Sequence, residues 1–238
     1  MPTKKINSMV LGSGLVAGGF KEFARDDRYV VFASGVSDST TQDKAAFERE
    51  EQLLEKTIRE HADKTVVYFG TCSVYDPSQR ELPYVAHKLA METMLEERHP
   101  HYHIFRLSNL AGSTRNPHTV LNFFAQHIRT GEFFFAWKHA YRNIVDIDDA
   151  VALCSHIMRS GSFRNQVVNI ANSINYAVPE IIGALETILH KKGNYDLIDK
   201  GSNPEIDTDP IADLIRVLDI RFDKGYLDRS IRKYYSPE

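Results

Sequence analysis

In the stretch FGTCSVYDPSQRELPYVAHK, residues 69–88, Tyr84 and Lys88 stand four apart behind a row of small hydroxyl and thiol side chains, Thr71, Cys72 and Ser73. Residues i and i+4 of a helix share one face. A lysine ammonium on that face favours a phenolate and draws a tyrosine down from about 10 towards neutrality. Such a tyrosine serves as a general acid or base at an oxygen. Chance alone supplies roughly 0.6 pairs of this spacing in a chain of this composition, so the pair gains its meaning from position. It follows directly on a strand that ends in the hydroxyl row. Nearer the N-terminus, Gly12, Gly14 and Ala17 spell GxGxxA between a predicted strand and a predicted helix. There the glycines allow a tight turn and a bare backbone, and the helix amides meet a pyrophosphate. The pattern also asks for an acid about 20 positions on, to hold a ribose hydroxyl. Asp38 is near that distance.

The elements that must position these groups alternate. Residues 5–11 read as a strand, and the glycine turn opens a helix of about a dozen residues. YVVFASG (29–35), TVVYFG (65–70) and HYHIFRLSNL (101–110) read as buried strands, rich in β-branched and aromatic residues. Between them lie a long amphipathic helix over 40–64 and another over 83–97. In the first, Phe47, Leu54 and Ile58 form the apolar face and the glutamates and lysines take the others. This alternation implies an α/β fold with a parallel sheet covered on both faces. After Gly112 helices are expected over 118–132, 148–161, 178–192 and 223–235, with one strand over 165–171. A small appendage on the end of the sheet lies where a doubly wound fold places its ligands.

Other features are blander. His99, His101 and His103 alternate along RHPHYHIF, but no Cys or carboxylate stands at ligand spacing. They read as exposed histidines on a strand edge, and no metal is assigned. His87 is expected at the surface, off the Tyr84–Lys88 face. FFFAW (133–137) reads as core before it reads as a stacking platform. The chain has 238 residues, 42% hydrophobic and 26% charged, with a net charge of -3, which excludes a basic nucleic-acid binder. Its two cysteines, Cys72 and Cys154, fit a reducing compartment. The N-terminal apolar run is too short for a signal peptide and no segment reaches membrane-spanning length, so a cytoplasmic protein is expected.

The order of motifs resembles the extended short-chain dehydrogenase/reductase family, the NAD-dependent epimerases and dehydratases of nucleotide-linked sugars. The segments that carry the resemblance are GSGLVAG, FASG, GTCSVYD, YVAHK, RLSNLAG (with Arg106, Asn109 and Gly112) and YRNIVDIDDAVAL. The resemblance implies a catalytic set of Thr71, Tyr84 and Lys88. Ser73 stands where related synthases carry a sugar-contacting cysteine. Cys72 and Ser73 replace the acidic pair of the dehydratases, which argues against dehydration. By the same resemblance, Gly12, Gly14, Leu15, Val16, Ala33, Ser34 and Gly35, with Tyr84 and Lys88, hold NAD or NADP. Asn109 and Arg142 contact the nucleotide diphosphate of the substrate, and Trp137 borders it.

Members of the family place two further strands between the glycine turn and the strand matching FASG, and this chain runs straight across. Loss of those strands leaves a reduced doubly wound Rossmann-like sheet, with 29–33 beside the first strand and the adenosine site incomplete. Asp38 then belongs to the nicotinamide side and is not the ribose acid. The expected organisation is a core over 1–112 and a mainly helical substrate-binding part over 113–238, some of whose elements return to the core. The implied activity is reduction or epimerisation of a nucleotide-linked sugar in surface polysaccharide biosynthesis. The implied assembly is a homodimer through helices 43–63 and 81–97. The competing reading is a nucleotide-sugar-binding or partner-binding protein that has lost its dinucleotide.

Overall fold

The computed structural model of the chain describes residues 8–236. Residues 5–7 of the expected first strand, and the start of the N-terminal apolar run, lie outside the described residues. Strand β1 (Val10–Leu11) leads through the glycine turn into α1 (Leu15–Gly19) and a 3-10 turn over Lys21–Arg25. The dozen-residue helix expected here stops after five residues. Gly18 and Gly19 are costly in a helix interior, and Gly19 lies so close to Val151 that a Cβ would meet its methyl at 2.5 Å.

β2 (Tyr29–Phe32) is buried on both faces, as a central parallel strand must be. Asp43 caps α2 (Lys44–Glu60) by accepting from the Ala45 N–H, and β3 (Thr65–Thr71) follows. Helix α3 (Pro83–Arg98) starts on a proline, whose missing N–H costs nothing in a first turn. The expected strand over 101–110 is two strands. β4 (Tyr102–Leu107) stays in the main sheet, and β5 (Asn109–Ala111) leaves it at Ser108 to pair with a later strand, β7 (Tyr141–Asp146). Between β5 and β7 lie α4 (Val120–Thr130) and β6 (Phe134–Trp137), and after β7 come α5 (Ile147–Ser160) and β8 (Val167–Ile170). The chain continues through β9 (Asn175–Ala177), α6 (Val178–Leu189), β10 (Tyr195–Ile198), α7 (Ala212–Val217) and α8 (Tyr226–Tyr235). β6, β7, β9 and β10 are not among the expected strands, since their sequences lack a clear β-branched run or alternation of their own.

The main sheet is parallel, in the order β1-β2-β3-β4-β8. Residues 29–32 therefore lie between β1 and β3, as the missing segment implies, and β1 is an edge strand. Alternation along β3 feeds two cores. Val67 and Phe69 pack with Phe20, Phe105 and Leu153 under α1 and α5. Val66 and Tyr68 pack with Leu54, Met91 and Leu95 under α2 and α3. Each fully buried leucine of this kind contributes about 1.5–3 kcal/mol of transfer free energy. A third core, with Phe124, Ile128, Ile181, Leu185 and Ile231, joins α4, α6 and α8 over the small sheets β5-β7-β9 and β10-β6. Two elements from the second half, α5 and β8, belong to the main sheet and its cover.

Of the three alternating histidines, His101 is exposed as expected and the other two are not. β4 is an inner strand, and His99 and His103 are buried, each bonded to a backbone carbonyl: Nε2 of His99 to Lys64 at 2.9 Å, Nδ1 of His103 to Phe163 at 3.1 Å. Alternation placed them on one face but did not reveal that the face was covered. In FFFAW, Phe134 and Ala136 are core while Phe133 and Phe135 are exposed.

Candidate active site

A cavity of about 1130 Å³ opens at the carboxyl ends of β1, β2 and β3, where a doubly wound sheet binds ligands. All the site residues named from the sequence line it. The glycine turn forms one wall. Gly12 adopts φ +124°, and a Cβ there would run into the Ala33 carbonyl, so only glycine lets β1 turn against β2. At Gly14, the N-cap of α1, nothing lies within 4 Å of a Cβ, which leaves the backbone open to the cavity. Ala33, Ser34 and Gly35 continue this wall from β2.

The end of β3 supplies Thr71, Cys72 and Ser73. Thr71 Oγ1 accepts from the Ser73 N–H at 3.1 Å and so turns the chain off the strand. Burial pushes the Cys72 thiol well up, and its sulfur donates to the Arg106 carbonyl at 3.2 Å. Arg106 itself is paired with the buried Glu92 at 2.6 Å and braces β4 against α3. On the far wall, the Asn109 amide donates to the Asn143 carbonyl at 3.0 Å, and Trp137 stands half-buried at the rim. Arg142 donates to Asp76 at 3.3 Å and to the Tyr141 carbonyl at 2.8 Å.

Tyr84 and Lys88 share the α3 face, but their electrostatics depart from expectation. Lys88 Nζ contacts Glu50 Oε1 at 2.9 Å, the Tyr68 hydroxyl at 3.2 Å and the Phe69 carbonyl at 3.4 Å, so its three donors are taken. It lies 6.0 Å from the centre of the Tyr84 ring. Glu50 is fully buried, its second oxygen 3.1 Å from His87 Nε2 and accepting from the Val36 N–H at 2.6 Å. Burial alone would raise the Glu50 carboxyl; His87, Lys88, Tyr68 and the Val36 amide bring it down to about 2. Tyr84 moves the other way. Burial pushes its phenol well above the usual value, the Thr71 hydroxyl only partly offsets this, and the negative charge of Glu50 and of Asp38 adds to the rise. Lys88 is not among the groups that move it, and its Nζ is paired with Glu50.

His87 is likewise not a surface residue: its side chain is 8% exposed and stacks on Phe47 at 4.7 Å. Sequence reasoning missed Glu50 among the acidic residues of EREEQ. Its position is legible, three residues after Phe47 and four before Leu54, and so on the apolar face. It also missed Asp76. Nearly buried in the cavity wall, Asp76 accepts from the Ser78 and Ser202 hydroxyls at 2.6 and 2.8 Å besides Arg142. It thereby ties the loop after β10 to the end of β3. Asp38, on the loop after β2, bonds Thr40 and does not line the cavity.

The described residues fit one half of a nicotinamide dinucleotide. The bare turn at Gly12 and Gly14 and the strand end at Ala33–Gly35 leave room for a pyrophosphate and a nicotinamide ribose. A ribose hydroxyl reaches Lys88 only by displacing a present acceptor, of which the Phe69 carbonyl is the longest. Beyond β1 no strand follows among the described residues, so the outer side has no covering wall of its own.

The sequence model of the NAD-dependent epimerase/dehydratase family matches residues 20–171. The chain belongs to that family. A comparison with curated protein sequences gave no match. Among solved structures, the chain is similar to the UDP-glucose 4-epimerase of Thermus thermophilus in complex with NAD. The TM-score is 0.67 at 16% identity, over 91% of this chain and 78% of that one. The UDP-glucuronic acid 4-epimerase of Bacillus cereus in complex with NAD gives 0.67 at 18% identity, over 95% and 77%. The UDP-glucose 4-epimerase of Thermotoga maritima with UDP-glucose gives 0.63 at 19%, over 78% and 70%. At these identities the likeness is one of fold.

Proposed function

We propose that this chain is an NAD(P)-dependent reductase or epimerase of a nucleotide-linked sugar. The observation that carries the reading is the single cavity in which the glycine turn, Thr71, Tyr84 and Lys88, and Asn109, Trp137 and Arg142 meet. A nicotinamide dinucleotide, when bound, supplies or accepts the hydride. The remaining work falls to the chain. Thr71 and Tyr84 hydrogen-bond the reacting sugar oxygen, and Tyr84 moves its proton. Arg142, held from behind by Asp76, meets the diphosphate, which a guanidinium suits through its fork of donors. Asn109 and Trp137 border the nucleotide, and Ser73 reaches the sugar. Cys72 and Ser73 supply no carboxylate for a dehydration. Surface polysaccharide synthesis is the setting that this chemistry suits, and a homodimer through α2 and α3 is the assembly.

A second reading is favoured by one observation, the edge position of β1. On this reading, with no strand outside β1 among the described residues, the protein binds a nucleotide sugar without redox chemistry. A panel of nucleotide sugars, assayed with NAD, NADP and their reduced forms, separates the two. The first reading expects, with a particular nucleotide sugar only, either a net change in nicotinamide absorbance for a reductase or conversion of the sugar to its epimer, followed by NMR, with no net change for an epimerase. Binding of a sugar nucleotide by calorimetry, with no turnover and no dinucleotide binding at millimolar concentration, hands the case to the second.

A further inference from the structure

The group that the Tyr84–Lys88 chemistry does not use is Glu50, a carboxylate without solvent exposure in contact with the lysine at 2.9 Å. We propose that Glu50 is a positioning residue that takes the charge of Lys88 and leaves Tyr84 a neutral phenol, which suits the site to delivering a proton to a sugar carbonyl oxygen. This deepens the functional reading above and rests on it for the identity of the substrate class.

The geometry is that of a closed circuit. Lys88 has three N–H donors, and they go to Glu50, Tyr68 and the Phe69 carbonyl. Glu50 has its oxygens turned to Lys88, Tyr68, His87 and the Val36 amide. A Cβ at Gly35 would meet Lys88 Nζ at 2.5 Å and Glu50 Oε1 at 2.8 Å, so the pair is packed closely under the β2 end of the cavity. At Tyr84 the Thr71 hydroxyl is the group that favours the ionised phenol, and it only partly offsets burial. Of the charged groups, Glu50 from α2 and Asp38 from the loop after β2 act on it with negative charge. Lys88 on its own helix is paired with Glu50, while Arg49 from α2 and His118 line the same cavity. Glu92, further along α3, is neutralised by Arg106 at 2.6 Å. Lys88, the lysine that shares a helix face with Tyr84, has its charge met by Glu50 at 2.9 Å.

The consequence for chemistry is directional. Oxidation of a sugar hydroxyl needs a base, so a phenolate must form first. Reduction of a carbonyl needs an acid, which a neutral phenol already is. In that direction the carbonyl carbon takes a hydride, supplied by a reduced nicotinamide dinucleotide that is oxidised. The carbon–oxygen π pair moves to oxygen, the Tyr84 proton moves to the same oxygen, and the phenolate recovers its proton from solvent through the open cavity. Microscopic reversibility still allows the oxidation, but it becomes fast only at alkaline pH.

The test is a direct titration of Tyr84 in the full chain. The protein is labelled with carbon-13 at the oxygen-bearing ring carbon of tyrosine and followed by NMR, with Tyr84→Phe to assign the resonance. The expected result is a phenol that stays protonated beyond about pH 10, the value of a free tyrosine. Glu50→Gln, which keeps the shape and removes the charge, lowers that midpoint by about 1–3 pH units. The double variant Glu50→Gln, Lys88→Met removes both charges together and leaves the midpoint where it is in the unmodified protein. It also covers the case in which the single variant folds poorly. A midpoint below about pH 8 in the unmodified protein overturns the proposal, as does a rise of about one pH unit or more in the double variant. Both outcomes show that Lys88 acts on Tyr84. Because no sugar is present, the titration stands or falls apart from the substrate: a neutral Tyr84 in a protein that binds no nucleotide sugar supports the role of Glu50 and sinks the functional reading alone.

Discussion

At the scale of single residues, Tyr84, Lys88, Arg142 and Glu50 decide what the cavity can do, and the last of them belongs to no motif. Tyr84 is the proposed proton carrier. Tyr84→Phe keeps the ring that packs beside Val36 and Val85 and removes the proton, so turnover is expected to fall by about 10²–10⁴-fold. Sugar-nucleotide affinity by calorimetry should stay nearly unchanged. A substrate converted at the same rate by both proteins removes the mechanism. Glu50 carries a stability signature. Its carboxyl titrates at about 2 when folded, against an ordinary 4.5. A folded value below the unfolded one contributes stability above pH 4.5, lost as pH falls towards 2. The shift corresponds to about 3 kcal/mol. Chemical denaturation at neutral pH and near pH 3 is expected to show this loss, and the Glu50→Gln, Lys88→Met protein should show less of it. Equal acid sensitivity in the two proteins would assign the loss to other carboxylates.

Among the elements, β1 and α2 set the limits. β1 is two residues long and lies at the sheet edge. On the proposed reading, a dinucleotide with its pyrophosphate on the glycine turn would meet no further strand at its adenosine end among the described residues. A charge-assisted hydrogen bond to the ribose is worth about 1.5–3 kcal/mol, and each step of about 1.4 kcal/mol is tenfold in affinity. The expected result is weak binding of both NAD and NADP with little discrimination, measured by calorimetric titration with each. Tight binding of one alone would reveal an adenosine site made by another part of the assembly. α2 matters for a different reason. Its face towards the sheet carries Leu54, Thr57 and Ile58 together with Glu50. A single charge on an apolar helix face must be paired to be buried, and Lys88 on α3 is the partner. The helix pair is therefore joined through the site itself.

For the whole molecule, the same two helices present their outer sides to solvent. Leu89 on α3 is 38% exposed, and Leu82, just before that helix, 36%. A homodimer through α2 and α3 is expected, and sedimentation should give a mass near twice the 27.1 kDa of the chain. A monomer mass at micromolar concentration rejects it. Such a dimer would also hold the α2–α3 pair, and with it the Glu50–Lys88 contact, in place.

Much was legible without coordinates, because it depends on local order. The β-branched and aromatic run in 65–70 marked a buried strand, and Gly12 with Gly14 marked the turn between strand and helix. The motif order implied a catalytic set of Thr71, Tyr84 and Lys88 and a nucleotide-diphosphate set of Asn109, Trp137 and Arg142, and all six line one cavity. The missing segment foretold that residues 29–32 pair with β1 and β3. Tertiary structure alone decided the charge. Spacing says which side chains share a helix face, but a lysine ammonium acts on whichever anion comes closest in the low-dielectric interior. The anion 38 residues away, on another helix, is nearer than the phenol one turn away. Strands such as β6, β7 and β9 were hidden for a related reason, since their hydrogen bonds lie with partners distant in sequence. The burial of His87, His99 and His103 likewise followed from what covers them, which no local period records.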